Sequence, residues 1–486
     1  MLDEARTVIV GSGPSGIAVA DTLRLRGFSS LILEAGATRA MLGIDGHAGM
    51  AEYRRALAPR LHVDERDWHY EADRSVFDWI RVRSPGGRSL RWGGWLAKPK
   101  LENFLLHGAS RAEWPFARHE LDRLFVRSAA WLGARTCQLD PIYAALSQTS
   151  GTLVTPKVAA VSRGGILPFC ALDRLAAADG APRPRAHVDL FDQAVATRVM
   201  CGRNGVEGIE YVDRRDAKTH RRKAAAVVLA ASPIETTRLL LCSDLAALAP
   251  IRPSIGRHYL DHIAASYLAI LPYRHVGEAC AGVMQRGAII ERPNDGQADI
   301  GRGGFTLELH GPNAASIHEP EILAAAELDP RADAQLACVS INAIGELLAS
   351  PSRWVGLSTA RDALGRPAPR IAIGWHDDDL ALAARMEAEA ERIALLLAGK
   401  HGRAVKVRRT LTLGGTGTSH EAGTCRIGFR DSESVVDRHG QVHGIKGLYV
   451  ADASLMPSGL DCHPTLTVVA LAMNTADGLA RFLSAQ

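Results

Sequence analysis

Apolar positions near the start of the chain fall into two short unbroken runs, TVIV at 7–10 and LIL at 31–33, on either side of a longer helical pattern. Residues 7–36, TVIVGSGPSGIAVADTLRLRGFSSLILEAG, therefore predict strand, glycine turn, helix, strand. Residues 37–80 mix short helical patterns with loops. A helical period returns over 114–132, and from 187 to 231 β-type runs recur: VDLF, VATRVM, VEGIEYV and AAVVLAA. SPIETTRLLL, 232–241, then predicts a capped helix. Between 263 and 376 strands alternate with polar loops, in ASYLAILPY, RGAIIE, GFTLELH, CVSINAI and RIAIGW. DDDLALAARMEAEAERIALLLAG opens a helix whose acidic first turn suits the helix dipole. The last pattern, TLTVVALAMNTADGLARFL, is apolar on most positions and predicts a buried helix. Pro464 fits its first turn, because the N–H it lacks is one no helix uses, and His463 then sits at or near the N-cap.

This order of elements predicts an α/β protein with two sub-domains, for which 486 residues are ample. The boundaries read as one discontinuous Rossmann-like part, residues 1–105, 190–262 and 411–486. The intervening 106–189 and 263–410 form an α+β part with a mainly antiparallel sheet. Lys plus Arg exceed Asp plus Glu by four, 57 against 53, with no dense basic run, which argues against a nucleic-acid partner. Eight cysteines are scattered without CxxC or metal-ligand spacing, so reduced thiols and no metal site are expected. The first strand begins at Thr7, too early for a signal peptide, and no apolar run approaches the roughly 18 residues of a membrane span. A cytoplasmic protein that does not enter membranes is the expectation.

Gly11, Gly13 and Gly16 stand in GxGxxG spacing between the first strand and the first helix, and Glu34 ends the second strand. That is the dinucleotide fingerprint in its structural context: Gly11 for the tight turn, Gly13 for close approach of a pyrophosphate, Gly16 for helix packing, and Glu34 for ribose hydroxyls. Four glycines within 86–94 of RSPGGRSLRWGGW mark a sharp loop or a backbone pressed against a ligand. Taken with SPIETTRLLL, SIGRHYLDH (254–262), SHEAGTCRIG (419–428), SVVDRHGQVHGIKGLYVADASLMP (434–457) and CHPTLTVVALA, these motifs resemble the glucose-methanol-choline (GMC) family of FAD-dependent alcohol oxidoreductases. DLFDQAVATRV (189–199) and HPTLTVVALA are most similar to its pyranose-oxidase branch, which oxidises sugar hydroxyls.

The resemblance implies FAD as cofactor and oxidation of an alcohol carbon, of a sugar, glycoside or nucleoside, with oxygen or a carrier as electron acceptor. It also admits a hydroxynitrile lyase with structural FAD, or an oxidase of aromatic alcohols. Arg91 stands where members with attached flavin carry histidine, which implies non-covalent FAD. His420 is the candidate base and His463 the donor to the substrate oxygen, since imidazoles exchange protons near neutrality. Ser15, Pro464 and Thr465 are implied at the two helix N-termini facing the cofactor, Asp452 at its ribityl or pyrophosphate groups, Ser89 and Trp92 over the flavin or its pyrophosphate (with Trp92 equally readable as core), and the Ala196 backbone at the adenine. His258, His262, His439 and His443 take no role, and Cys425 and Cys462 read as packing residues.

Overall fold

The computed structural model describes residues 6–37, 69–100, 113–148, 152–175, 187–274, 287–291, 303–414 and 418–486, with Phe104 and without positions 74, 80, 91, 138, 163–165, 244–245 and 319. Arg91 and Cys280 thus lie outside the described residues.

The two leading apolar runs pair as strands Thr7–Val10 and Ser30–Leu33 in a five-stranded sheet. Its order runs Leu448–Val450, Ala226–Leu229, Thr7–Val10, Ser30–Leu33, Val188–Phe191, parallel throughout. Both faces are covered, which is why Thr7–Val10 and Ala226–Leu229 are buried at every position and show no alternation. Helix Pro14–Leu25 and the C-terminal helix Thr465–Ser484 share one core beside it, joining Ile17, Val19 and Ala20 to Leu466, Val469 and Ala476. Helix Arg118–Trp131 also belongs here. Its Leu121, Phe125 and Trp131 pack into that same core rather than with the antiparallel part, where the sequence had suggested it.

The second body is a six-stranded sheet in the order Arg403–Lys406, His262–Arg274, Leu336–Glu346, Phe305–Ala314, Gly287–Glu291, Thr152–Val154, antiparallel throughout. Helix Asp377–Ala398 covers it through Leu382, Met386, Ala390 and Ile393, spaced three and four apart. Asp379 accepts a hydrogen bond from the His376 backbone N–H at 2.8 Å and pairs with Arg353, anchoring the acidic first turn. A three-stranded antiparallel sheet, Ala194–Gly202, Gly205–Asp213 and Lys218–Lys223, leads off the parallel one. Its last strand, KTHRRK, escaped sequence reading because an exposed edge strand of polar residues carries no apolar period.

Three local expectations are sharpened or corrected. His463 is near the cap as expected, immediately before Pro464, which is itself the N-cap of the final helix and accepts from the Val468 N–H at 2.8 Å. Ser232 does precede helix Pro233–Cys242, yet its side chain makes no cap hydrogen bond. Instead Thr236 Oγ accepts from the Ala231 N–H at 3.2 Å and donates to Asp452 at 2.5 Å. Among the described residues one helix, Thr465–Ser484, is long and apolar enough to cross a membrane by length and composition; here it is a core helix, mostly buried.

Ser232 sits at φ 77°, ψ 149°, a region glycine tolerates and serine does not. Relief of about 1–3 kcal/mol of strain, less about 0.4–1 kcal/mol of added unfolded-chain entropy, should make Ser232→Gly more stable by about 1 kcal/mol. Urea unfolding of the apoprotein measures this, and a lower midpoint at equal slope would contradict it.

Candidate active site

One cavity runs along the carboxyl ends of the parallel strands, where ligands of this sheet type bind. Gly11, Ser12, Gly13, Pro14 and Ser15 line it from the first turn, and Ser419, His420, Pro464 and Thr465 from the C-terminal segments. The three glycines do different work. A Cβ on Gly11 would meet the Ala230 carbonyl oxygen at 2.4 Å, and one on Gly16 the Gly11 carbonyl oxygen at 2.0 Å, so both are fixed by backbone packing. A Cβ on Gly13 would meet nothing within 4 Å and would project into open space, as a cradle for a pyrophosphate requires.

Glu34 lines the cavity but is already engaged. It accepts from the Ser12 N–H at 3.1 Å, from Ser12 Oγ at 2.5 Å and from the Gly36 N–H at 2.8 Å, against burial that pushes its carboxyl up. A carboxylate has about four acceptor sites, so ribose hydroxyls can still be received. Ala196 also lines the cavity, and its carbonyl accepts from Arg366 at 3.1 Å. Asp452 lines it too, with its oxygens on Ser454 and Thr236. Ser89 and Trp92 are not brought to it. The Ser89 hydroxyl donates to the Gly86 carbonyl at 2.6 Å and accepts from the Ala171 N–H at 3.0 Å, while the Trp92 indole donates to the Phe169 carbonyl at 2.9 Å. Both tie their loop to the segment around 169–171. From that motif it is Arg88 that reaches the cavity: it donates to the Ser419 carbonyl at 2.7 Å and pairs through both terminal nitrogens with buried Glu421.

His420 and His463 meet. His420 Nε2 lies 3.1 Å from His463 Nδ1, with the rings nearly perpendicular at 84°. Two residues without a predicted role complete the group. His262 Nδ1 is 2.7 Å from His420 Nδ1, and Glu308 Oε2 is 2.7 Å from His463 Nε2. Nothing local in GFTLELH distinguishes Glu308, and only the fold places its strand under the final helix's start.

The charges follow from the surroundings. Burial, then the charges of His463, His262 and Arg88, hold His420 well below the usual imidazole range. Burial also pulls on His463, but the Glu308 carboxylate outweighs it and raises His463. Glu308 answers in kind: burial alone would raise it, and the imidazoles of His463 and His310 bring it down to about 2. Glu308 therefore shifts His463 toward its cationic form, while burial keeps the adjacent His420 in its neutral one. A neutral imidazole can take a proton and a cationic one can donate to a developing oxyanion, which is the equipment for removing a hydroxyl proton.

A doubly covered parallel sheet with this glycine cradle defines a Rossmann-like fold of the dinucleotide-binding type. Residues 354–472, about a quarter of the chain, match the GMC oxidoreductase family. Among relatives, C-glycoside 3-oxidase of Arthrobacter globiformis is 30% identical over 306 residues, 62% of this chain and 55% of that protein. The chain thus spans about half the length of that relative. The 6'''-hydroxyparomomycin C oxidase of Streptomyces lividus is 26% identical over 98% of this chain and 91% of its own. Pyridoxine 4-oxidase from Mesorbium loti shares the fold at TM-score 0.62 and 18% identity, covering 98% and 99% of the two chains. Formate oxidase does so at TM-score 0.65 and 16% identity, covering 98% and 97%.

The cradle makes the glycines separable by experiment. Gly16→Ala should destabilise the apoprotein by about 1–3 kcal/mol, since backbone must shift. Gly13→Ala should leave its stability within about 0.5 kcal/mol, as for a change in open space, and yet weaken FAD binding. Denaturation without FAD and titration with FAD read the two effects; wild-type FAD affinity in Gly13→Ala would remove that residue from the cradle.

Proposed function

We propose that this protein is an FAD-dependent alcohol oxidoreductase that oxidises a hydroxyl of a sugar or glycoside. The observation that carries the reading is the contact of His420, which lines the cavity, with His463, which immediately precedes the cavity-lining Pro464. Two similar proteins named for oxidising a C-glycoside and a hydroxyparomomycin support the glycoside class.

Bound FAD would accept the hydride from the alcohol carbon. The chain's own residues manage the proton and the charge. A substrate hydroxyl entering between the two imidazoles gives its proton to His420 Nε2, while His463 Nδ1–H donates to the oxygen that gains charge. Glu308 keeps His463 protonated through that step. The first turn of Thr465–Ser484, with Pro464 and Thr465 at the cavity wall, directs free N–H groups and the positive end of the helix dipole into the same space. Arg88 and Asp261 hold the 419–421 backbone on which His420 is mounted.

An anaerobic screen of sugars, glycosides, nucleosides and aromatic alcohols for flavin bleaching tests the reading; a lyase would leave the flavin oxidised. With a bleaching substrate in hand, His420→Ala should slow reduction by about 10²–10⁴, the loss expected for a positioned base. His463→Asn should cost less, because an amide still donates to the oxygen, although it strands the Glu308 carboxylate. A folded-state value raised above the usual one keeps His463 charged to higher pH, so the rate should fall as pH rises through it. Glu308→Gln should move that alkaline loss to lower pH. Near wild-type reduction in His420→Ala would show that another group is the base.

FAD should also be released to the supernatant when the purified protein is acid-precipitated, because Arg91 cannot form a histidyl–flavin bond. Yellow colour kept by a washed pellet would establish a covalent link instead.

A further inference from the structure

His262 opens the strand His262–Arg274, is 1% exposed, and does not itself line the cavity. Its Nε2 lies 3.0 Å from the carbonyl oxygens of both Gly459 and Leu460. Carbonyls only accept, so that nitrogen carries a proton. Burial, and next the charge of His463, pull His262 down to about 4, so the ring is neutral near pH 7 and its Nδ1 is a bare lone pair. Two lone pairs do not face each other at hydrogen-bond distance. His420 Nδ1, 2.7 Å away, must therefore be the protonated nitrogen and the donor.

The direction propagates. His420 is neutral, so with Nδ1 protonated its Nε2 carries the lone pair. His463 Nδ1, 3.1 Å from that lone pair, donates to it, and His463 Nε2 donates to Glu308 at 2.7 Å. Both nitrogens of His463 then bear protons, in agreement with its raised value. One chain of donors thus runs from His463 through His420 and His262 to two backbone carbonyls, and its sense is set at the carbonyl end.

Resting on the reading of this site as an alcohol-oxidising centre, we propose that His262 is a positioning residue: by accepting from His420 Nδ1–H it fixes the tautomer in which His420 Nε2 is free to take the substrate's hydroxyl proton. When that proton moves, the O–H bond breaks, an Nε2–H bond forms, and the electron pair stays on oxygen for hydride departure from carbon. His420 becomes a cation whose Nδ1–H bond to His262 strengthens on acquiring charge. A carboxylate in the place of His262 would orient the ring equally well. It would also raise the basicity of His420 and add a second buried anion near Glu308, which the neutral acceptor avoids.

The test compares His262→Leu, which deletes the acceptor, with His262→Gln, whose carbonyl can accept from His420 while its amide donates to Gly459 and Leu460. Flavin reduction at saturating substrate should fall about 10–100-fold in the Leu variant, the usual range for a lost outer-layer partner, with KM changed little. The Gln variant should recover to within about tenfold of wild type. The pH profile should also change in the Leu variant alone, because His420 then answers only to His463, Arg88, Glu421 and Asp261. Independently of any substrate, the resting FAD-loaded enzyme with 15N-labelled histidine should show the His420 proton on Nδ1, assigned by its loss in His420→Gln. Wild-type rate and pH profile in a folded His262→Leu, or a His420 proton on Nε2 in the wild type, overturns the proposal. If no alcohol bleaches the flavin, the functional reading fails while the nitrogen spectrum still decides the tautomer. If the Leu variant does not fold, the Gln variant and that spectrum decide.

Discussion

The site hangs on one buried carboxylate. Asp261 is 1% exposed, and its Oδ1 accepts from the His262 N–H at 2.8 Å, the His420 N–H at 2.9 Å and Thr418 Oγ at 2.9 Å, while Oδ2 accepts from the Tyr259 hydroxyl at 3.0 Å. Asp261 immediately precedes the longest strand of the antiparallel sheet, and Thr418 and His420 belong to the loop beside the cradle. A single side chain thus sets the spacing between the two bodies at the point where the imidazoles meet. Burial and the neighbouring Glu421 push Asp261 up, and the donors around it oppose that shift. Removing any of those donors leaves a costly group in a dry place, so the loop has little freedom to wander.

That rigidity comes with local strain. Ser419 holds φ 54° and Leu460 φ 63°, conformations that non-glycine residues avoid. Ser419 leads into His420 and has its carbonyl held by Arg88; the Leu460 carbonyl receives His262. Each strained residue therefore sits next to a histidine of the array and is held by the hydrogen bonds that aim that histidine. Strain of this kind persists only where surrounding contacts over-determine it, and here they do.

The cradle was legible because its information is local. Gly11, Gly13 and Gly16 announce themselves by spacing between a strand and a helix, and HPTLTVVALA by a proline ahead of an apolar helix. His420 and His463 entered through motifs and stand in contact in the fold. Ser89 and Trp92 misled because a glycine-rich loop is conspicuous whichever way its side chains face, and the residue it presents to the cavity is Arg88. Glu308 and His262 were invisible for the opposite reason. Strand Phe305–Ala314 alternates as FTLELH, which reads as a half-buried strand with Thr306, Glu308 and His310 toward solvent; in the fold all ten positions are buried, and Thr306 and Glu308 meet Asp461 and His463. His262 lies 158 residues from His420, and only the closure of the sheet onto the loop makes them neighbours. The period over 114–132 predicts helix Arg118–Trp131 but not the body it joins, since a period reports an apolar face and not the partner that covers it.

The two bodies contribute different physics. The parallel sheet and its flanking helices offer backbone: glycine turns, helix N-termini and carbonyl-lined edges that suit a large anionic cofactor and tolerate variation of side chains. The antiparallel sheet offers electrostatics. Glu308 at its centre charges His463, while His262 at its edge meets His420. Burial alone would not distinguish the two imidazoles, because it drives both toward the same neutral form. The acid that separates them must come from a second element whose position does not depend on the cofactor. A rigid sheet pressed against the opening of the final helix supplies such an element, and the base and the donor are thereby distinguished before any substrate arrives.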